Sequence, residues 1–435
     1  MSNIRSLLSI VDNEAKEYAI YTAENRAIPN MVDGFKPVQR FMIHRALQVN
    51  KTNKNFVKLA SLSGGVADIG YHHGEGSATE AGALMANTWN NNYPLLDGQG
   101  NFGTRIVQEA AASRYIFCKL SDNFKKVFKD LDICPEHEDK EHIPPKYYLP
   151  IIPTVLLNGV KGIATGYSTS ILPHSFDSVV KSTIAALKGE TIEPEVQLPS
   201  FSGTIEKIDT GVEIFGVFKF VSASTMEITE VPVKWDRAEY INKVLDPLED
   251  KGFITYDDMC SKAGFGFKVK FKAAYKLDKT DTDRIIRDFK LSQKMPQFII
   301  VIDEKGKLRE FNSASELIHH FVKIRMPYIE KRIKVQAEIS KNQFEVALAK
   351  VRFINMIIKG GIVLSGKTRK QLTEELKTHE GLKDHVEVLL NMNIYHITED
   401  EAVKLAKNAA ELKNTHQYWL ETTPEVEYSK DLESL

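Results

Sequence analysis

What most limits the fold of this chain is a helix-patterned run near its C-terminus. Ser313-Ala-Ser-Glu316 is a capping box, and Leu317, Phe321, Ile324, Tyr328, Val335, Ile339, Val346, Val351 and Ile354 follow at near-helical spacing to about Lys359. At roughly 1.5 Å per residue such a helix is about 65 Å long, with Pro327 a point where it kinks or restarts. Thr398 and Glu401 cap a second helix returning to about Leu420, so the pair predicts a long antiparallel coiled arm with residues 362–397 as a globule at its tip. Such a tip must bury apolar surface against something, and a second copy of the chain is the natural candidate.

The 435 residues suffice for two or three domains, each with its own core. With Lys+Arg 57 against Asp+Glu 58, composition announces no nucleic-acid binder, and any basic surface must be local. Cys118, Cys134 and Cys260 are widely spaced, without CxxC, which argues for a reducing compartment and against a zinc site. The charged N-terminus lacks a long apolar run, so neither a signal peptide nor a membrane span is expected.

Before that arm, residues 4–25 carry a helical pattern that stops before Pro29, and Pro37 starts another helix to about Leu47. Arg26, Lys36 and Arg40 bracket the intervening turn; on residue type they are either a solvated loop or a local cationic cluster. In Gly70-Tyr-His-His-Gly-Glu-Gly-Ser-Ala-Thr-Glu80 a histidine pair sits on a loop flexible enough to meet a phosphate, although metal ligation or simple loop structure are alternatives. Ser77 and Glu80 read as a capping box for a helix to about Trp89. The turn-rich loop Asp97–Arg105 then leads to Ala-Ala-Ala-Ser-Arg114-Tyr115-Ile-Phe. A phenol at a strand entrance beside a guanidinium can attack a phosphate, since the cation favours the phenolate and binds phosphate oxygens. Alone, an Arg-Tyr pair occurs by chance in most chains of this length.

Taken together, Asp33-Gly-Phe-Lys-Pro, Tyr71-His-His-Gly-Glu, Asp97-Gly-Gln-Gly-Asn-Phe-Gly, Ala-Ala-Ser-Arg114-Tyr115 and Ile151-Ile-Pro…Leu157-Asn-Gly…Gly162-Ile-Ala-Thr-Gly resemble the breakage-reunion part of type IIA DNA topoisomerases in order and spacing. The histidine motif and Phe102-Gly-Thr-Arg are similar to eukaryotic members and the Asp97 motif to gyrase A, a mixture that resembles the bacteriophage members. The resemblance covers about residue 20 to the C-terminus. It implies a multidomain α+β fold: an N-terminal arm (1–25), a winged-helix DNA-binding domain (26–150), a tower domain (151–312), and a coiled-coil arm with a dimerisation gate (313–435).

It also implies that Tyr115 attacks a DNA phosphate and stays linked to the 5′ end, with Arg114 beside it. Arg26, Lys36, Arg40, His72 and His73 fall on family positions near the cut strand, as phosphate clamps or transition-state donors. Phe41 stands where gyrase-type subunits have a further basic residue, so that clamp is missing. Ile171, in Ser170-Ile171-Leu172-Pro173, falls on the family's DNA-bending wedge; on its residues alone it reads as a buried core isoleucine. Leu172 replaces a common proline. Lys262, Lys268, Lys270, Lys272 and Lys276 form either a DNA-backbone face of the tower or an ordinary solvated one.

Two matches are set aside. Asp281-Thr-Asp283 reads as helix capping, not as a metal pair. Gly361-Ile-Val-Leu-Ser-Gly-Lys-Thr368 fits the P-loop expression but follows a helix, and Gly360-Gly361 read as its C-cap. The resemblance therefore implies a DNA-cleaving and rejoining subunit of an ATP-dependent enzyme. Partner subunits would bind ATP and hold most of the Mg²⁺, with no metal site in this chain. The expected partners are double-stranded DNA, those subunits and a second copy, in the cytoplasm and with no membrane. Ending at Leu435 without a DNA-wrapping domain, the chain is expected to support relaxation and decatenation. Rival readings are a non-catalytic DNA clamp and a tyrosine recombinase or nicking enzyme.

Overall fold

The computed structural model describes residues 10–393 and 397–435, so residues 4–9 of the expected opening helix lie outside the described residues. The chain divides into two compact units, one ending at Ile324 and taking in Leu432–Leu435, the other Arg325–Asp431.

In the first unit the α-helix Lys16–Thr22 is flanked by π-helical turns, Ile10–Ala15 and Ala23–Ala27. It stops at Ile28, whose backbone is extended, as the residue before a proline requires. Asp33-Gly34 makes the expected turn, with Gly34 at φ +71°, and Pro37–Thr52 is helical five residues beyond the expected end. The helix after the histidine loop is Glu75–Ala86 with Gly74 as N-cap, so Ser77 and Glu80 sit inside it and form no capping box. Gly74 needs no side-chain acceptor to leave the helical region, and the chain turns in three residues early.

β1 (Val57–Lys58), β2 (Leu96–Gln99) and β3 (Phe117–Leu120) form an antiparallel sheet in the order β1-β3-β2. β4 (Val160–Ala164) and β5 (Tyr167–Ile171) are a hairpin closed by Thr165-Gly166, with Gly166 at φ +81°. Beyond it β6 (Thr204–Ile208), β7 (Gly211–Phe215) and β12 (Ser292–Pro296) make one sheet. A second contains β8 (Val217–Phe220), β9 (Thr225–Glu230), β10 (Ile254–Asp258) and β11 (Phe267–Phe271) in the order β10-β11-β9-β8. β13 (Ile299–Ile302) and β14 (Leu308–Phe311) form a further hairpin. In β11, Phe267, Val269 and Phe271 enter the core while Lys268 and Lys270 face solvent. Lys268 lies between Asp257 and Glu227 of the neighbouring strands and Lys270 between two threonines, so carboxylates interrupt the lysine face.

The long helix is Ala314–Ile358, 45 residues, and Pro327 neither ends nor restarts it. Within the second unit the chain returns along it: the His416 ring nitrogen Nδ1 donates to the Ala337 carbonyl at 3.0 Å, and Arg332 pairs with Asp431 at 2.6 Å. The return helix is Glu399–Glu421, capped by Thr398 as expected. Between them Arg369–Thr378 and Val386–Leu390 close a small core of Phe353, Ile362, Leu376 and Leu389.

Candidate active site

The tyrosine is set out by the backbone on either side of it. Helix Leu59–Gly64 begins with N–H groups that have no partner inside the helix. Leu59 donates to the Ile116 carbonyl at 3.0 Å and Ala60 to that of Ser113 at 3.3 Å. The Tyr115 N–H closes a turn onto Ala112 at 2.9 Å. From there Ile116 and, in β3, Cys118 and Leu120 alternate into the core, where burial pushes the Cys118 thiol up to about 12. Arg114 and Tyr115 are left outside. Tyr115 is 66% exposed, its hydroxyl bonded to nothing among the described residues, and the Arg114 guanidinium lies 4.9 Å from its ring centre. The geometry expected at residues 110–117, a phenol beside a cation at a strand entrance, is present.

A second cluster gathers around His73. Arg26 reaches its Nδ1 at 3.5 Å and the Tyr21 hydroxyl its Nε2 at 3.1 Å, while the Tyr71 ring meets it edge-on at 5.3 Å. Burial first, then Arg26 and His72, hold the His73 imidazole below its ordinary range. His72 is exposed and 3.8 Å from Glu141. Phe41, the departure from the basic pattern, packs under the loop against Tyr71 at 5.2 Å and His142 at 4.5 Å. Arg26 and Lys36 both line a cleft of about 680 Å³, and the Lys36 ammonium donates to the Lys161 carbonyl at 2.7 Å; burial lowers its pKa. Arg114 and Tyr115 are not among the cleft's lining residues.

Two expected DNA contacts are corrected. Arg40 is no exposed clamp: its guanidinium is buried and gives two hydrogen bonds to Asp33, at 2.7 and 3.0 Å. A fully buried carboxylate needs a counter-charge, and Arg40 supplies it. Ile171 is 2% exposed and cannot wedge between bases. Ile163, overlooked in the sequence, is 86% exposed. Strand parity explains the exchange, because Ile163 pairs with Ser168 on one face of the hairpin while Ile171, Thr169 and Gly162 share the other. That other face is turned inward: a Cβ at Gly162 would collide with the Ala27 carbonyl, and the Thr169 hydroxyl donates to the Phe298 carbonyl at 3.3 Å.

The set-aside motifs have the structures expected of them. The Asp281 carboxylate caps a helix through the Arg284 N–H at 3.0 Å. Gly360, at φ +75°, ends the long helix, with Gly361 donating back to Met356 at 2.8 Å. Among the described residues no three His, Cys, Asp or Glu side chains are placed together to hold a metal ion. Among the same residues no helix is long and apolar enough to cross a membrane.

The match to known proteins extends over nearly the whole chain. The family model for the A-type subunit of DNA gyrase/topoisomerase IV matches residues 26–433. The chain belongs to that family. As a gyrase A-type subunit it is 56% identical to the DNA topoisomerase medium subunit of Enterobacteria phage T4, over 100% of this chain and 99% of the relative. It is 31% identical to a DNA topoisomerase 2 of Plasmodium falciparum over 87% of this chain, but spans only 28% of that enzyme. Its mixed α/β fold matches the crystal structure of the Plasmodium falciparum topoisomerase II DNA-binding, cleavage and re-ligation domain, with a TM-score of 0.87 and 28% identity over 98% of this chain and 63% of that one. The chain is therefore a type II topoisomerase subunit.

Proposed function

We propose that this subunit cuts and rejoins double-stranded DNA through Tyr115. The observation that carries the reading is an exposed phenol, bonded to nothing among the described residues and held beside a guanidinium by a backbone anchored on both sides. The Tyr115 oxygen attacks a backbone phosphorus, the bond to the 3′ oxygen breaks, and the 5′ phosphate stays on the tyrosine while the 3′ hydroxyl leaves. Reversal of the same exchange reseals the strand, so rejoining itself needs no ATP. Arg114 stabilises phenolate and phosphate charge. Arg26, Lys36, His72 and His73 together make the cationic and hydrogen-bonding neighbourhood in which the strand is held. Ile163 replaces Ile171 as the wedge that bends the duplex, and Arg40 acts only through the Asp33 turn.

The finer architecture follows the family: a winged-helix domain over 26–150, a tower over 151–312, and a coiled-coil arm whose tip, about 362–397, closes a homodimer. Partner subunits bring ATP hydrolysis and the carboxylates for Mg²⁺, which supplies charge stabilisation at the cut phosphate. The assembled enzyme relaxes and decatenates DNA in the cytoplasm.

The test mixes the purified chain and its partner subunits with end-labelled DNA and magnesium, traps with detergent, and maps the DNA-linked peptide. The expected result is an adduct at Tyr115 that Tyr115→Phe abolishes. DNA binding without any adduct would instead make the chain a clamp.

A further inference from the structure

His73 is held from both sides, and the chemistry of its two neighbours assigns its proton. A guanidinium has donors only, so the Nδ1 atom facing Arg26 at 3.5 Å must carry the lone pair. The single ring proton of the neutral imidazole then sits on Nε2 and is donated to the Tyr21 oxygen at 3.1 Å. Tyr21 keeps its own phenolic proton, and its side chain is 41% exposed. The edge of Tyr71, tilted 74° to the imidazole, limits rotation of that ring. Nothing in the sequence pattern singles out Tyr21. It lies 52 residues from His73, on the N-terminal helix, and only the fold brings the two together.

We propose that Arg26, His73 and Tyr21 form a directed hydrogen-bond relay whose last member, the Tyr21 hydroxyl, donates to a non-bridging phosphate oxygen of the strand to be cut. The proposal rests on the reading of this cluster as the phosphate-binding neighbourhood. His73 then acts through Tyr21 instead of touching the phosphate, and Arg26 sets the direction by refusing to accept a proton. A proton added at Nδ1 would face the guanidinium and break the relay. The groups that face His73 are Tyr21, Arg26, Tyr71 and His72, with Glu141 beyond His72. Of these Arg26 and His72 oppose that added proton, so the relay is intact at neutral pH and fails on acidification.

The test measures the rate of covalent adduct formation by the assembled enzyme between pH 5 and pH 8 for wild type, Tyr21→Phe and His73→Gln. Tyr21→Phe removes one oxygen from an exposed position and leaves the fold intact. Its rate at neutral pH is expected to fall on the order of tenfold, the worth of one hydrogen bond to a charged group. The acid limb of the wild-type profile is expected to disappear with it, because the relay it reports is already broken. A Tyr21→Phe enzyme with the wild-type rate, or with a lowered rate and an unchanged acid limb, overturns the relay. If His73→Gln also matches wild type in rate and profile, the reading of the cluster itself fails.

Discussion

Asp33 and Arg40 face each other in the interior through two parallel hydrogen bonds, Nε at 2.7 Å and a terminal guanidinium nitrogen at 3.0 Å. The same carboxylate takes the N–H of Phe35 and that of Tyr148, each at 3.0 Å, so one buried ion pair joins the turn at residue 33 to a segment 115 residues away. Removing one member of a buried pair leaves the other uncompensated. Arg40→Gln is expected to cost about 3 kcal/mol of stability, read by chemical or thermal denaturation. Loss of DNA affinity with unchanged stability would restore Arg40 as a surface clamp.

The two isoleucines of the hairpin give opposite outcomes. Ile171→Ala empties packed volume and is expected to destabilise by about 2–4 kcal/mol. Ile163→Ala, on the solvent face, should shift stability by no more than about 0.5 kcal/mol yet reduce DNA bending, measured by energy transfer between dyes on the two duplex ends. Normal bending by Ile163→Ala would remove Ile163 from the wedge role.

His142 supplies a pH dependence of the fold. Burial first, then the neighbouring His137, depress it to about 4, and its ring lies 4.5 Å from that of Phe41. In the unfolded chain a histidine titrates near 6.5. Between those values the unfolded state binds more protons, so stability present above about pH 6.5 is lost as pH falls toward 4. The half-open site limits this to on the order of 1 kcal/mol. Across that window the stability of His142→Phe relative to wild type should rise as pH falls, by on the order of 1 kcal/mol, because phenylalanine does not titrate; a difference that stays constant with pH would contradict the assignment.

Local chemistry was legible in the sequence wherever neighbouring residues decide it. The helix caps at Ser313, Asp281 and Thr398, the C-cap at Gly360, the 45-residue helix and the tyrosine at a strand entrance all follow from periodicity and turn residues. The motifs by themselves also carry the likeness to the family. Strand alternation in residues 160–171 places Ile163 and Ile171 on opposite faces, but period alone cannot say which face is covered. That was decided by the approach of Ala27 and Phe298. Charge type likewise marked Arg26, Lys36 and Arg40 alike. Only the tertiary structure separates them, because burial next to Asp33 turns one cation into an internal strut, while Arg26 remains exposed and meets His73 and Tyr21 from distant parts of the chain. A side chain's type limits the bonds it can make, and the path of the backbone chooses its partner.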